Sequence, residues 1–205
     1  MEFIQDNYYI CYDKNGTVYK RITLRNKIRH GLYEKYYPDG KIKRRCSYKN
    51  GKYDGKYYEY YENGNIKRIA DMIDGNITGD YFQFYENSRI EIYCHRYNNI
   101  LCGLYQDYFE NGKDRILCKF ENGLIQGQAT EYDIYGNIIR IAQYDKGILN
   151  GFYEEYICQN NDKGNTISEI KKYEKGNKIF ELDLKIFSKD DLSKFINCFK
   201  NMKIN

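Results

Sequence analysis

Fifteen of the 17 glycines in this chain stand at three positions of one 24-residue period. Gly31, Gly55, Gly79, Gly103, Gly127 and Gly151 form the first series, without a slip. Gly16, Gly40, Gly64, Gly112 and Gly136 form the second, and Gly51, Gly75, Gly123 and Gly147 the third. So strict a period restricts the chain to one supersecondary unit, repeated and stacked on copies of itself.

Each unit carries two turn signals. One is Asp39-Gly40, Asn63-Gly64 or Asn111-Gly112; the other is Asn50-Gly51, Asp74-Gly75 or Asn122-Gly123. Asn-Gly and Asp-Gly favour hairpin turns, because glycine takes positive φ freely and Asn or Asp tolerates it. Between the turns lie short runs of Tyr, Phe and Ile, which suit a pleated surface. The first run follows Gly-x-Tyr-x-x-Tyr-Tyr and includes Tyr33, Tyr57, Tyr81, Tyr105 and Tyr153. The second is Ile-x-x-x-small-x-aromatic, as in Ile42 to Tyr48. A unit is therefore strand, turn, strand, turn, and seven units are counted from Asn7 onward. No stretch before residue 188 holds a helical apolar period for more than a turn or so.

The recurring Gly-x-Tyr-x-x-Tyr-Tyr-x-Asn-Gly-x-Ile, closing with Asn-Gly, resembles the variant MORN repeat over about residues 7 to 180. The resemblance implies consecutive β-hairpins in a long twisted antiparallel sheet. It also implies a scaffold or membrane-contacting role, or an antitoxin role, since a bacterial family built from this variant consists of antitoxins.

Three cysteines, Cys46, Cys94 and Cys118, share a repeat position with Ala70, Ala142 and Ile22. A position filled by Cys, Ala or Ile calls for a small apolar side chain on a crowded face. Equivalent residues two strands apart lie ~10 Å from one another, too far for a disulfide. Reduced thiols are expected, and no metal site or cofactor. His30 and His95 are the two histidines. Cys94 and His95 are adjacent on a strand, so they point to opposite faces and cannot form a dyad. Glu62, Glu86 and Glu110 recur by period and read as solvated turn residues. Nothing in the pattern supports an enzyme or a small-molecule substrate.

Net charge is +4, from 33 basic and 29 acidic residues. That is weak electrostatics for a nucleic-acid backbone. The candidate binding residues are Lys41, Lys43, Arg44 and Arg45, the densest basic cluster, together with Arg68 and Arg96. They suit an acidic protein partner or anionic lipid headgroups. A two-residue turn at Asn63-Gly64 would set Glu59 opposite Arg68, and its copy would set Glu131 opposite Arg140. A three-residue turn would move that register by one.

The period breaks in three places. Ser88 and Asn99 replace turn glycines, and Arg96 stands where other copies have Tyr48 or Phe120. The stretch from Cys158 to Gly164 is an insertion at a hairpin tip. The tail differs in kind: Ser188 as N-cap, Asp190 and Asp191 in the first turn, then Leu192, Phe195, Ile196, Phe199 and Met202 in a helical stripe.

These readings predict an all-β protein: about seven β-hairpins in an extended antiparallel meander over 1–187, with a capping helix over 188–205. The predicted function is a non-enzymatic binding or scaffold module for a protein of unknown identity, in the cytoplasm. An antitoxin-like neutraliser and a membrane-periphery module are the alternatives. No apolar segment approaches a membrane span, and the N-terminus lacks a signal-peptide pattern.

Overall fold

The computed structural model describes residues 6–157 and 166–183, and within them every regular element is a strand. The first eight are β1 (Asp6–Tyr12), β2 (Val18–Arg25), β3 (Ile28–Tyr36), β4 (Ile42–Lys49), β5 (Lys52–Tyr60), β6 (Ile66–Ile73), β7 (Asn76–Phe84) and β8 (Ile90–Tyr97). The rest are β9 (Ile100–Tyr108), β10 (Asp114–Glu121), β11 (Leu124–Ile125), β12 (Gly127–Tyr132), β13 (Ile138–Asp145), β14 (Ile148–Ile157), β15 (Thr166–Glu174) and β16 (Asn177–Asp183). Strands pair antiparallel in sequence order, the two-residue β11 pairing only with β10, which goes on to pair with β12, so the sheet is one meander. The sixteen strands exceed the fourteen or so expected. One strand is split into β11 and β12 around Gln126, whose N–H donates back to the Lys119 carbonyl, and the last hairpin, β15–β16, adds to the array. The helix expected over 188–205 and the insertion at 158–164 lie outside the described residues.

Two turn types alternate. The tight turns have two central residues, both at positive φ, as at Asn50 (50°) and Gly51 (86°). That is the type I′ pattern, whose twist matches the strands it joins. The wide turns have three loop residues. Tyr61 N–H donates to the Asn65 carbonyl, Gly64 N–H donates to the Tyr61 carbonyl, and Gly64 sits at φ 95°. This is a type I turn closed by a glycine bulge, the three-residue alternative at Asn63-Gly64 rather than the two-residue one. The predicted pairing survives all the same. A second irregularity between Glu59 and Tyr60 shifts the register back, so Glu59 faces Arg68 and Glu131 faces Arg140.

The first glycine series does a third job. Between Cys46 and Tyr48 the β4–β5 register jumps, and Gly55 absorbs the extra residues at φ 101°. A kink of this kind strengthens local twist. All three series thus mark left-handed backbone, which explains why the period is written in glycine.

Burial is concentrated in one row across the middle of the sheet. Ile22, Cys46, Ala70, Cys94, Cys118 and Ala142 are all buried there, whereas the buried Ile170 pairs with Glu154 on the opposite face. On their flanks lie Tyr33, Tyr57, Tyr81, Tyr105 and Tyr153, in register with them across the strands. Small side chains form the floor, and tyrosines from alternate strands roof it. Among the described residues no second layer covers either face of the sheet.

Candidate binding face

Side chains alternate along a strand, so the tyrosines named above share one face with the buried small residues. Tyr33 meets Tyr48 edge-on at 5.7 Å, Tyr48 lies 4.6 Å from Tyr53, and Tyr53 meets Tyr57 at 5.8 Å between centroids. Guanidinium groups lie over these rings: Arg29 over Tyr48 at 5.3 Å, Arg44 over Tyr57 at 5.4 Å and Arg96 over Tyr81 at 5.5 Å. Such contacts hold an arginine flat against an aromatic wall and leave its charge facing solvent.

Beside the tyrosines runs a row of charge. Lys20 faces Lys35, and Lys35 faces Arg44. Like charges directly opposite one another cost stability. Next, Glu59 lies between Arg44 (3.9 Å) and Arg68 (3.3 Å). Farther along the order inverts: Arg140 lies between Glu131 (2.7 Å) and Glu155 (3.8 Å). The face is therefore cationic toward its N-terminal hairpins and anionic toward its C-terminal ones. The sequence carries the same polarity, with 14 Lys and Arg against 6 Asp and Glu in residues 1–56.

The basic cluster read from the sequence is dispersed by the pleat. Lys41 sits at a wide turn, paired with Asp39 at 3.0 Å and donating to the Glu62 carbonyl. Lys43 lies over the Tyr37 ring. Arg44 belongs to the tyrosine face, whereas Arg45 points to the opposite face and grips Glu34 at 2.8 Å. Arg68 and Arg96, 28 residues apart in sequence, come together instead. They line one well with Tyr57, Tyr81, Ala70 and Met72, of about 280 Å³. The Nε atoms of both are buried without a hydrogen-bond partner.

A buried carboxylate on the opposite face was not anticipated. Glu34 is 5% exposed and accepts from Arg45 Nε at 2.9 Å and from the Tyr36 hydroxyl at 2.5 Å. Glu154 and Tyr156 repeat the second contact at 2.7 Å. The signal was a Tyr-Glu-x-Tyr run starting two residues after a first-series glycine, as after Gly31 and Gly151; the run at Tyr58 is one residue out of that phase.

The cysteines behave as packing residues. Cys46, Cys94 and Cys118 are free and at most 4% exposed. Burial pushes the Cys46 thiol up to about 12 and the Cys118 thiol up to about 11, far from thiolate chemistry at neutral pH. His95 lies on the opposite face from Cys94, with Nδ1 3.2 Å from Asp80. Among the described residues no three of His, Cys, Asp and Glu are grouped to hold a metal ion, and no helix is long and apolar enough to cross a membrane.

No curated protein matches the chain. The family model of the MORN repeat variant matches residues 29–50 and 53–74. Each match runs along a strand, through a wide turn and back to the first residue of a tight turn, so the family's unit is the hairpin seen here. Residues 29–50 and 53–74 thus match the MORN repeat variant, and the neighbouring hairpins are built on the same strands and turns.

Proposed function

We propose that this chain is a non-enzymatic binding module that holds an extended segment of a partner protein along its tyrosine face. The observation that supports this reading is the row of half-buried tyrosines, interrupted once at Ala129, with arginines laid over Tyr57, Tyr81 and Tyr153. Tyr and Arg are the residues that most often carry binding energy at protein interfaces. Equivalent tyrosines recur at ~10 Å along the sheet, a spacing close to the ~9 Å, three-residue turn of an extended polyproline II segment, which offers every third side chain to one side. The charge polarity sets the direction: an acidic stretch of the partner lies over Lys20, Lys35 and Arg44.

Selection from a library of displayed internal peptides tests this. Enriched peptides should bind the wild-type protein and lose at least about tenfold on Tyr57→Ser/Tyr81→Ser/Tyr105→Ser, with the fold checked by circular dichroism. Tyr58→Ser/Tyr93→Ser, on the opposite face, should leave them bound. Equal binding to the first variant and the wild type refutes the reading.

The basic N-terminal hairpins also favour a second reading, contact with an anionic membrane surface. It predicts co-sedimentation with phosphatidylserine vesicles that is lost at high salt. Vesicles that leave the protein in the supernatant at low salt exclude it.

A further inference from the structure

One position on the tyrosine face breaks the repeat in a way that leaves charge unspent. Copies of the unit place Tyr48, Met72, Phe120 and Tyr144 where Arg96 stands. Arg96 lies opposite Gly79 on one side and Leu101 on the other. Its guanidinium turns over Tyr81, donates to the Asn99 carbonyl at 3.1 Å and hydrogen-bonds the Cys94 sulfur. It makes no ion pair among the described residues. Its neighbour Arg68 shares Glu59 with Arg44, so those two guanidinium groups divide one carboxylate. A guanidinium that stacks on a ring and pairs with no carboxylate keeps its charge available to an anionic ligand.

The well beside these groups has an apolar floor of Ala70, Met72 and Ile77 and walls of Tyr57 and Tyr81. At about 280 Å³ it lies at the small end of the ~300–1,000 Å³ range of ligand pockets, with room for one large side chain. A second well on this face, about 150 Å³ over Ala129 and Ala142, is different. Its arginine, Arg140, is held by both Glu131 and Glu155, and no positive charge is left over.

We infer that the Arg68–Arg96 well is a subsite for the C-terminal residue of the partner segment. The apolar side chain of that residue rests on Ala70, Met72 and Ile77, and its carboxylate meets the two guanidinium groups. This inference rests on the peptide-binding reading and names the end of the peptide. An internal Asp or Glu fits less well, because its carboxylate hangs on one or two methylenes and leaves the apolar floor uncovered. A C-terminal residue supplies an apolar body and a carboxylate together, and a planar carboxylate suits the guanidinium fork.

The probes are N-acetyl-L-phenylalanine and its C-terminal amide, which differ only in charge. The reporter is the methyl resonance of Met72, one of three methionines in the full chain. The acid should shift it saturably, and the amide should bind at least about tenfold more weakly. Arg96→Gln should abolish the difference between acid and amide, while Arg140→Gln should preserve it. Equal binding of acid and amide, or an Arg96→Gln protein that still prefers the acid, overturns the inference. So does a Met72 methyl that neither probe moves. Displayed internal peptides carry no free C-terminus, so their selection can succeed while the acid probe fails. In that case the tyrosine face binds protein and this subsite is wrong.

Discussion

At the residue scale, the backbone conformation explains which substitutions this chain tolerates. Gly79 sits at φ 127°, and a Cβ built on it would lie 2.9 Å from the Asp71 Cβ. Neither atom can swing aside. Gly79→Ala should therefore cost ~2–3 kcal/mol of stability, read as a lower denaturant midpoint at unchanged slope. Ser88 is the reverse case: a serine at φ 68° in a wide turn where other copies have glycine. Ser88→Gly relieves ~1–2 kcal/mol of left-handed strain against ~0.5–1 kcal/mol of added chain entropy. A small rise in melting temperature is expected. Titration adds a third prediction. Burial pushes Tyr57 up to about 12 from 10.0 and Cys46 up to about 12 from 9.0. Both groups hold their proton more tightly when folded, so their contribution to stability is complete below about pH 9 and is lost as pH rises toward 12. Urea midpoints at pH 7.5 and 10.5 should show that loss, and Tyr57→Phe should lessen it; a midpoint that rises with pH contradicts it.

At the scale of the element, hairpins are tied to one another at both turn edges. The Tyr37 hydroxyl donates to the Tyr60 carbonyl, Tyr61 to Phe84 and Tyr85 to Tyr108, each at 2.7 Å. Asn63, Asn87 and Asn111 donate to the carbonyls of Glu86, Glu110 and Ile134. On the other edge, Gly51 N–H donates to the Arg29 carbonyl and Gly75 N–H to the Tyr53 carbonyl. The hydrogen-bonding tyrosine of the wide turn thus has a role separate from the tyrosines of the binding face. Tyr37→Phe, Tyr61→Phe and Tyr85→Phe should each cost ~0.5–1.5 kcal/mol. Their effects should add, because equivalent turns sit ~10 Å apart. A triple variant as stable as the wild type would show that the carbonyls do as well with water. The strands and both turn positions were legible in the sequence, since glycine at positive φ leaves few alternatives. The Glu59–Arg68 pairing was legible too, although two compensating irregularities produce it. The meeting of Arg68 and Arg96 was not. It depends on the register jump between Ala70 and Met72, and alternation along a strand cannot count the residues a bulge absorbs. For the same reason the run Lys41, Lys43, Arg44, Arg45 looked like one patch, whereas the pleat sends Arg44 and Arg45 to opposite faces.

At the scale of the whole molecule, the sheet behaves as a one-dimensional array, because close contacts lie between strands adjacent in the meander. Stability is then a sum of unit and nearest-neighbour terms, with no central core to lose. Removing residues 55–78 joins Asp54 to Gly79, takes out one full period, and preserves both strand direction and register. That protein should fold, with a melting temperature close to that of the full chain. Removing about half as many residues, a single strand and its turn, would make its neighbours run parallel across a connection too short to allow it, and should unfold the array locally or wholly. Circular dichroism and thermal melts on the two deletions compare them directly. The longer deletion carries a further consequence. It takes away Tyr57, Arg68, Ala70, Met72 and Ile77 and, by the 24-residue period, sets Tyr33, Arg44, Cys46, Tyr48 and Tyr53 in their places beside Arg96 and Tyr81. The guanidinium pair is kept while two rings replace the side chains of Met72 and Ile77 on the floor, so the folded protein should bind N-acetyl-L-phenylalanine more weakly and still prefer it to its amide. With Met72 gone, that preference is read from the ring resonances of Tyr81. A deletion protein that folds and binds acid and amide equally would show that a guanidinium pair at this position does not read the carboxylate. One that fails to fold would show that the units depend on one another beyond their nearest neighbours.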